Sequence, residues 1–248
     1  PTDRLRVMTY NVKEYLARKR VDGRLMVADE ISRHNADIIV LQDAGGLADV
    51  LARSEPLRNL VIGDRQMYAF GQYLVASRIP MKDCAPGDIS YRGEAHTYVR
   101  CVLTFRNREF DLFGVHFVTP RDGMNAVRSG WFSGVDAWRQ NLSDRMTQAN
   151  ALAKAIRASP RPTIVAGDLN APMPSMVIRT LQQVGLQDAF AGAGNGFGNT
   201  YGHSFPPGIS FMRIDHILHS AEFEPSGCFE GGEESSAHRP VIADFDMP

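Results

Sequence analysis

The sequence predicts an α/β sandwich in one domain, two sheets with helices outside, and three observations carry that reading. Short apolar or alternating runs bounded by polar residues recur along the chain, few segments show helical spacing, and no repeat or low-complexity linker divides residues 1–248. Chains of roughly 200–250 residues routinely form a single two-sheet domain. A hydrophobic content of 44% with 22% charged residues suits a globular chain able to bury a large core.

The elements follow in order. Residues 5–12 alternate apolar positions at Leu5, Val7 and Thr9 as a strand does, ending in Asn11. Asp22 can then cap a helix with Leu25, Ala28, Ile31 and Ser32 on one face, closed by Asn35. Residues 37–41 form a continuous apolar run suited to a buried strand that delivers Gln42 and Asp43 to its end. Further strands are expected over residues 60–62, 73–77, 98–105 and 110–117, the last two joined by a tight hairpin across Asn107 and Arg108. Leu142, Met146, Ala149, Ala153 and Ile156 line one side of a long helix over residues 142–158, which Pro160 and Pro162 stop. Residues 163–166 read as a strand, 175–184 as a helix, and 211–218 and 241–245 as strands. Two segments break the rhythm, residues 119–141 and 191–208, the second made irregular by Gly192, Gly194, Gly196, Gly198, Gly202 and Gly208. Long irregular segments in compact domains are usually functional or disordered.

Composition narrows the function classes. A net charge of -1, from 27 basic and 28 acidic residues, provides no global field to hold a polyanion, which disfavours tight non-specific nucleic-acid binding. No apolar run approaches the roughly 20 residues needed to cross a bilayer. The expectation is a soluble protein, cytoplasmic or secreted after removal of a signal. Cys84, Cys101 and Cys228 show no metal-ligand spacing and are odd in number, so they are expected as reduced, partly buried thiols.

The segment most informative for chemistry is Val165-Ala166-Gly167-Asp168-Leu169-Asn170-Ala171-Pro172. A buried strand stops at a glycine and presents Asp168 and Asn170 two residues apart, on one side of an extended chain. A carboxylate that orients an attacking water beside an amide that donates to a phosphoryl oxygen suits phosphoester hydrolysis. An isolated Asp-x-Asn is more often an Asx turn. Here, however, other strands end in comparable groups: Asn11, Asp43, His116 and the pair Asp215-His216, with His238 before the final strand.

Six segments, Tyr10-Asn11-Val12, Leu41-Gln42-Asp43, Gly114-Val115-His116-Phe117, Gly167-Asp168-Leu169-Asn170, Arg213-Ile214-Asp215-His216 and Ser236-Ala237-His238-Arg239-Pro240-Val241, resemble in order and spacing the motifs of the endonuclease/exonuclease/phosphatase family. The resemblance covers nearly the whole chain. It implies a four-layer α/β sandwich, two mostly antiparallel sheets packed face to face with helices outside, and a metal-dependent phosphodiesterase, nuclease or phosphatase. It implies magnesium, with manganese as a substitute, at the strand ends. By position, His238 would be the general base, Asp215 its orienting partner, Asp168 and Asn170 the groups that place the nucleophile and bind phosphate, and His116 a second phosphate contact or acid. Asn11 and Asp43 would lie on the metal side.

Two positions depart from the family's pattern: Asp43 stands where it ordinarily has Glu, and Ala237 where it has Asp. Both lower the charge or reach available to a cation, and metal affinity is expected to fall. The competing class is a non-catalytic relative that binds a phosphate ligand or a protein partner. Against it stand His238, Asp215, Asp168, Asn170 and His116, since a binding module needs no paired general base. Substrate choice among nucleic acid, phospholipid and sugar phosphate is expected from the irregular segments, where Arg121, Arg128, Trp131, Phe132 and Trp138 mix cations with aromatics that either grip a phosphate and stack a base or head group or, equally, leave the tryptophans packed on the core and the arginines solvated.

Overall fold

The computed structural model describes residues 4–120 and 131–246, with backbone alone for 131–134. Twelve strands run β1 Arg4–Asn11, β2 Ile38–Gln42, β3 Gln66–Phe70, β4 Tyr73–Ser77, β5 Met81–Asp88, β6 Thr97–Phe105, β7 Arg108–His116, β8 Thr163–Asp168, β9 Gln187–Asp188, β10 Asp215–His219, β11 Glu224–Glu230 and β12 Val241–Asp246. They form two six-stranded sheets, ordered β11-β12-β1-β2-β4-β3 and β5-β6-β7-β8-β10-β9. Each has one parallel pair near its centre, β1 with β2 and β7 with β8, and its other pairings are antiparallel. The helices are α1 Glu14–Ala17, α2 Gly23–Arg33, α3 Leu47–Arg53, α4 Glu55–Val61, α5 Trp131–Arg157, α6 Met176–Gln182 and α7 Ala189–Ala193.

The four expected layers are visible in which side chains meet. Leu5, Val7, Ile38 and Val40 from one sheet pack against Phe110, Leu112, Ile164 and Ala166 from the other. The alternate residues of the same strands point outward: Met8, Tyr10, Ile39 and Leu41 meet Val27, Ile31 and Leu51 of α2 and α3, while Phe113, Val115 and Val165 meet Ala149, Leu152, Val177 and Ile178 of α5 and α6. Burial on both faces is why the central strands read as continuous apolar runs.

The structure corrects several local expectations. Residues 60–62 are the end of α4 and the residue after it, because a helix entered through Pro56 in its first turn brings Val61 and Ile62 to the core from one face. On α2 the buried face is Val27, Ala28, Glu30 and Ile31, with Leu25 half exposed. The hairpin turns one residue earlier than expected, at Arg106 and Asn107, both left-handed, with Phe105 pairing Arg108. The long helix begins at Trp131, so the segment expected to be irregular up to Asn141 is helical over its last residues. Arg121 and Arg128 lie outside the described residues. Cys84 and Cys101 are disulfide-bonded, not free thiols: Cys84 sits in a bulge of β5 opposite β6, and strand pairing brings together positions 17 residues apart. Cys228 alone is free, and burial pushes its thiol up to about 12.

Gly167 marks the tightest approach near the site. A Cβ there would collide with the Val115 carbonyl on the paired strand. Gly167→Ala is therefore expected to lower stability by about 1–3 kcal/mol through overpacking. Urea unfolding measures this, and an unchanged midpoint would mean that the two strands separate freely.

Candidate active site

Side-chain alternation along the strands decides which polar groups meet. Leu5 and Val7 face the layer between the sheets, so Asn11, at the same parity on β1, faces it too. By the same count Phe110 and Leu112 carry His116 on β7, Ile164 and Ala166 carry Asp168 on β8, and Ile217 carries Asp215 on β10. These groups lie at one edge of the layer, where β1, β2, β7 and β8 end and β4, β10 and β12 begin. His216 falls on the opposite face, its Nε2 against the Ala171 carbonyl at 2.9 Å.

Asp168 is the centre of the cluster. Its Oδ2 accepts from Asn11 Nδ2 at 3.0 Å and lies 3.5 Å from His116 Nε2 and 3.8 Å from His238 Nδ1. Its Oδ1 accepts the Asn170 backbone N–H at 2.9 Å. His238 Nδ1 lies 2.9 and 3.2 Å from the two carboxylate oxygens of Asp215. Asp168, Asp215 and His238 are all fully buried. Asn170 is left-handed and turns the chain, its Nδ2 donating to the Phe117 carbonyl at 2.8 Å, while Arg145 donates to the Asn170 carbonyl at 2.7 Å. The Asx-type bond is thus made in the same turn that sets Asn170 beside Asp168.

Burial sets the protonation of the pair. It pushes the Asp215 carboxyl up to about 7 despite a hydrogen bond from Thr200, and pushes the His238 imidazole down to about 4 against the pull of Asp168. A neutral imidazole is the form that accepts a proton. With Nδ1 held by Asp215, Nε2 is the nitrogen left for chemistry.

Asp43 lies at the mouth of the cluster. Its Oδ2 is 2.7 Å from Lys13 Nζ and its Oδ1 3.7 Å from His116 Nδ1, which also meets Gln72 Oε1 at 2.5 Å. Burial alone would raise the Asp43 carboxyl, but His116 and Lys13 outweigh it and hold it below the usual carboxylate range.

The structure thus brings together His238, Asp215, Asp168, Asn170, His116, Asn11 and Asp43. It adds Lys13, Gln72, Thr200 and Tyr201, which the sequence did not single out. The Thr200 hydroxyl accepts from the N–H groups of Ile214 and Asp215, and the Tyr201 ring lies 4.8 Å from that of His238. Both belong to the glycine-rich segment flagged as functional for its length. A lysine two residues after Asn11 was the signal available for Lys13.

Asn11 and Asp43, the two donors assigned to a metal, do not fit a divalent ion as they are placed. The Asn11 amide donates to Asp168 and accepts from the Lys13 backbone N–H, and the Asp43 carboxylate already carries an ammonium. Asp168, Asp215 and His238 do place ligand atoms within 4.8 Å of one another. An ion at those atoms would compete for the His238 nitrogen and the Asp215 oxygens that bond each other.

Similar folds occur in solved structures that align with nearly the whole chain. They include an endonuclease/exonuclease/phosphatase family protein from Leptotrichia buccalis C-1013-b, 15% identical over 98% of this chain and 100% of that one, with a TM-score of 0.69. A functionally unknown conserved protein from Enterococcus faecalis V583 aligns with a TM-score of 0.74 at 16% identity, over 98% of this chain and 100% of that one. D. rerio TDP2 complexed with single strand DNA product aligns with a TM-score of 0.73 at 14% identity, over 99% and 100%. A search of curated protein sequences finds no match. The family model described as Endonuclease/Exonuclease/phosphatase family matches residues 8–238, and the chain belongs to that family.

Proposed function

We propose that the chain is a phosphoester hydrolase in which His238, oriented by Asp215, removes a proton from the attacking water. The observation that carries this is the buried His238–Asp215 pair meeting Asp168 at the sheet edge. Water gives its proton to His238 Nε2 as its oxygen attacks phosphorus, and the bond from phosphorus to the leaving oxygen breaks. Asp168 orients the nucleophile. The second hydrogen of Asn170 Nδ2 is left for a phosphoryl oxygen, and His116, across Asp168 from His238, serves as a further contact or proton source. Family members usually use a divalent metal. Proton transfer and the phosphate contacts fall to the chain's own side chains, because Asn11 and Asp43 as placed do not fit such an ion.

The rim points to an apolar or aromatic group beside the phosphate. Phe205 packs edge-on against Tyr201, itself on His238, and Phe205, Ile209 and Phe211 are exposed. The likeness to TDP2 complexed with single strand DNA product is in keeping with a nucleobase in that role. Stacking of one base contributes about 1–3 kcal/mol. Phe205→Ser with Phe211→Ser is thus expected to raise KM about tenfold or more with kcat little changed, in steady-state kinetics. An unchanged KM would place the substrate elsewhere.

The test of the reading is hydrolysis of DNA, phospholipid, sphingomyelin and inositol phosphates with magnesium, with manganese and with chelator. Hydrolysis of none of them under any condition overturns it and favours a phosphate-binding relative. On a substrate that is turned over, kcat/KM should rise with pH through about 7 and then level off. Below that value protonated Asp215 donates to Nδ1, which moves the imidazole proton to Nε2 and removes the base; above it the carboxylate accepts from Nδ1–H and frees Nε2. The apparent value belongs to the pair. Asp215→Asn should abolish this limb and most of the rate, since an amide cannot stabilise the protonated ring. A flat profile from pH 5 to 8 in the parent would exclude Asp215 as the controlling group.

A further inference from the structure

The cation side of this site is built around an ammonium. Lys13 Nζ lies 2.7 Å from Asp43 Oδ2, with the two side chains only 13% and 20% exposed. Asn11 and Gln42 pair at the ends of parallel strands β1 and β2; Asp43 follows Gln42 directly and Lys13 lies two residues after Asn11, and both backbones are left-handed, at φ 46° for Lys13 and φ 49° for Asp43. Asn170, on the other sheet, is left-handed as well, at φ 47°. For residues other than glycine this conformation is strained, on the order of 1–3 kcal/mol each, and persists where the surroundings require it. Here it turns two strand ends so that an ammonium and a carboxylate meet at the mouth of the site. The Lys13 backbone N–H is held by Asn11 Oδ1, and the same asparagine donates to Asp168, so one side chain ties the lysine to the nucleophile-placing carboxylate.

The charges call for such a group. Asp43, Asp168 and Asp215 are carboxylates clustered at one edge, and an anionic phosphoester entering beside them needs a counter-charge. Position 237, beside the base, carries an alanine and adds no carboxylate for an ion. We propose that Lys13 is the resident cation of this site, neutralising the phosphoryl group so that phosphate binding and hydrolysis require no divalent metal. The ammonium moves between Asp43 and the incoming phosphoryl oxygens, a short swing for a flexible side chain with three donors. It acts as a catalytic residue by touching the phosphoryl group, while Asp43 positions it. The inference rests on the phosphoester reading of the same site for its substrate.

The decisive measurement is calorimetric titration of inorganic phosphate into the full chain with excess EDTA. The parent should bind, and Lys13→Met should bind about tenfold or more weakly, the loss that follows from removing one charge-assisted hydrogen bond. Asp43→Asn, which keeps the ammonium and frees it from its partner, should bind phosphate at least as tightly as the parent. It decides the matter if Lys13→Met fails to fold. Manganese titrated alone should give no sub-millimolar binding to the parent and should gain it in Lys13→Asp. Phosphate binding that is indifferent to Lys13→Met, or that appears only with manganese, overturns the inference. Hydrolysis that chelator abolishes also overturns it, while leaving the hydrolase reading intact. Phosphate binding that depends on Lys13, in a chain that hydrolyses no phosphoester, supports the lysine as the cation and overturns the hydrolase reading instead.

Discussion

His238→Ala is expected to lower kcat by about 100- to 10,000-fold, the range that a positioned general base contributes. The imidazole is 2% exposed and held by Asp215 at 2.9 Å, so its position is set before substrate arrives. Removing it also leaves a cavity beside Tyr201 and a buried Asp215 carboxyl that has lost its histidine partner. Because burial raises the Asp215 carboxyl to about 7, that group takes up a proton at neutral pH at small cost, which limits the loss of stability. The expected result is a folded protein with a cooperative unfolding transition and almost no turnover. Steady-state kinetics and thermal unfolding of the same preparation check both halves. Near-normal turnover in the variant would remove His238 from the mechanism.

Asp168→Asn is the second large effect, and it separates charge from shape. The carboxylate accepts from Asn11 Nδ2 through one oxygen and from the Asn170 N–H through the other. An asparagine accepts from one of these donors and turns its own NH2 toward the other, leaving buried hydrogens facing each other. An unmade buried hydrogen bond costs about 1–3 kcal/mol. A stability loss of that size should therefore appear in urea unfolding. Turnover should fall by about 100-fold or more, because the negative charge that faces both His116 and His238, and that the proposed mechanism uses to orient the attacking water, is gone. A variant with full stability and full rate would show that Asp168 is an ordinary turn residue.

Among the described residues, no helix is long and apolar enough to cross a membrane. The disulfide between Cys84 and Cys101 shows how pairing defeats composition. An odd count of three cysteines argued for free thiols, but antiparallel strands β5 and β6 bring two of them to a Cα separation of 4.1 Å and leave Cys228 buried alone.

Much of the architecture was legible in the chain because the central strands bury both faces. Such strands must be apolar throughout, and the polar residue that ends each run, Asn11, His116 or Asp168, is then conspicuous. Alternation along the strand also determined that these groups share a face with the inter-sheet core. The edge strands β3, β5 and β11 were invisible, since half-exposed residues such as those of Met81–Asp88 carry no apolar signal. The end of α4 read as a strand, because two or three apolar residues have no measurable period.

What only tertiary structure decided is which charge each site group meets. The order of motifs put Asp43 on the cation side, yet nothing local showed that Lys13 would reach it. That contact depends on the parallel register of β1 and β2 and on two left-handed residues at their ends. Likewise, the pairing of Asp215 with His238, 23 positions away, and the burial that shifts both protons, arise from β10 and the segment before β12 meeting at one edge. Sequence determines the inventory of groups through local period and composition. Electrostatic environment is a property of distance and burial, and those exist only once the sheets have packed.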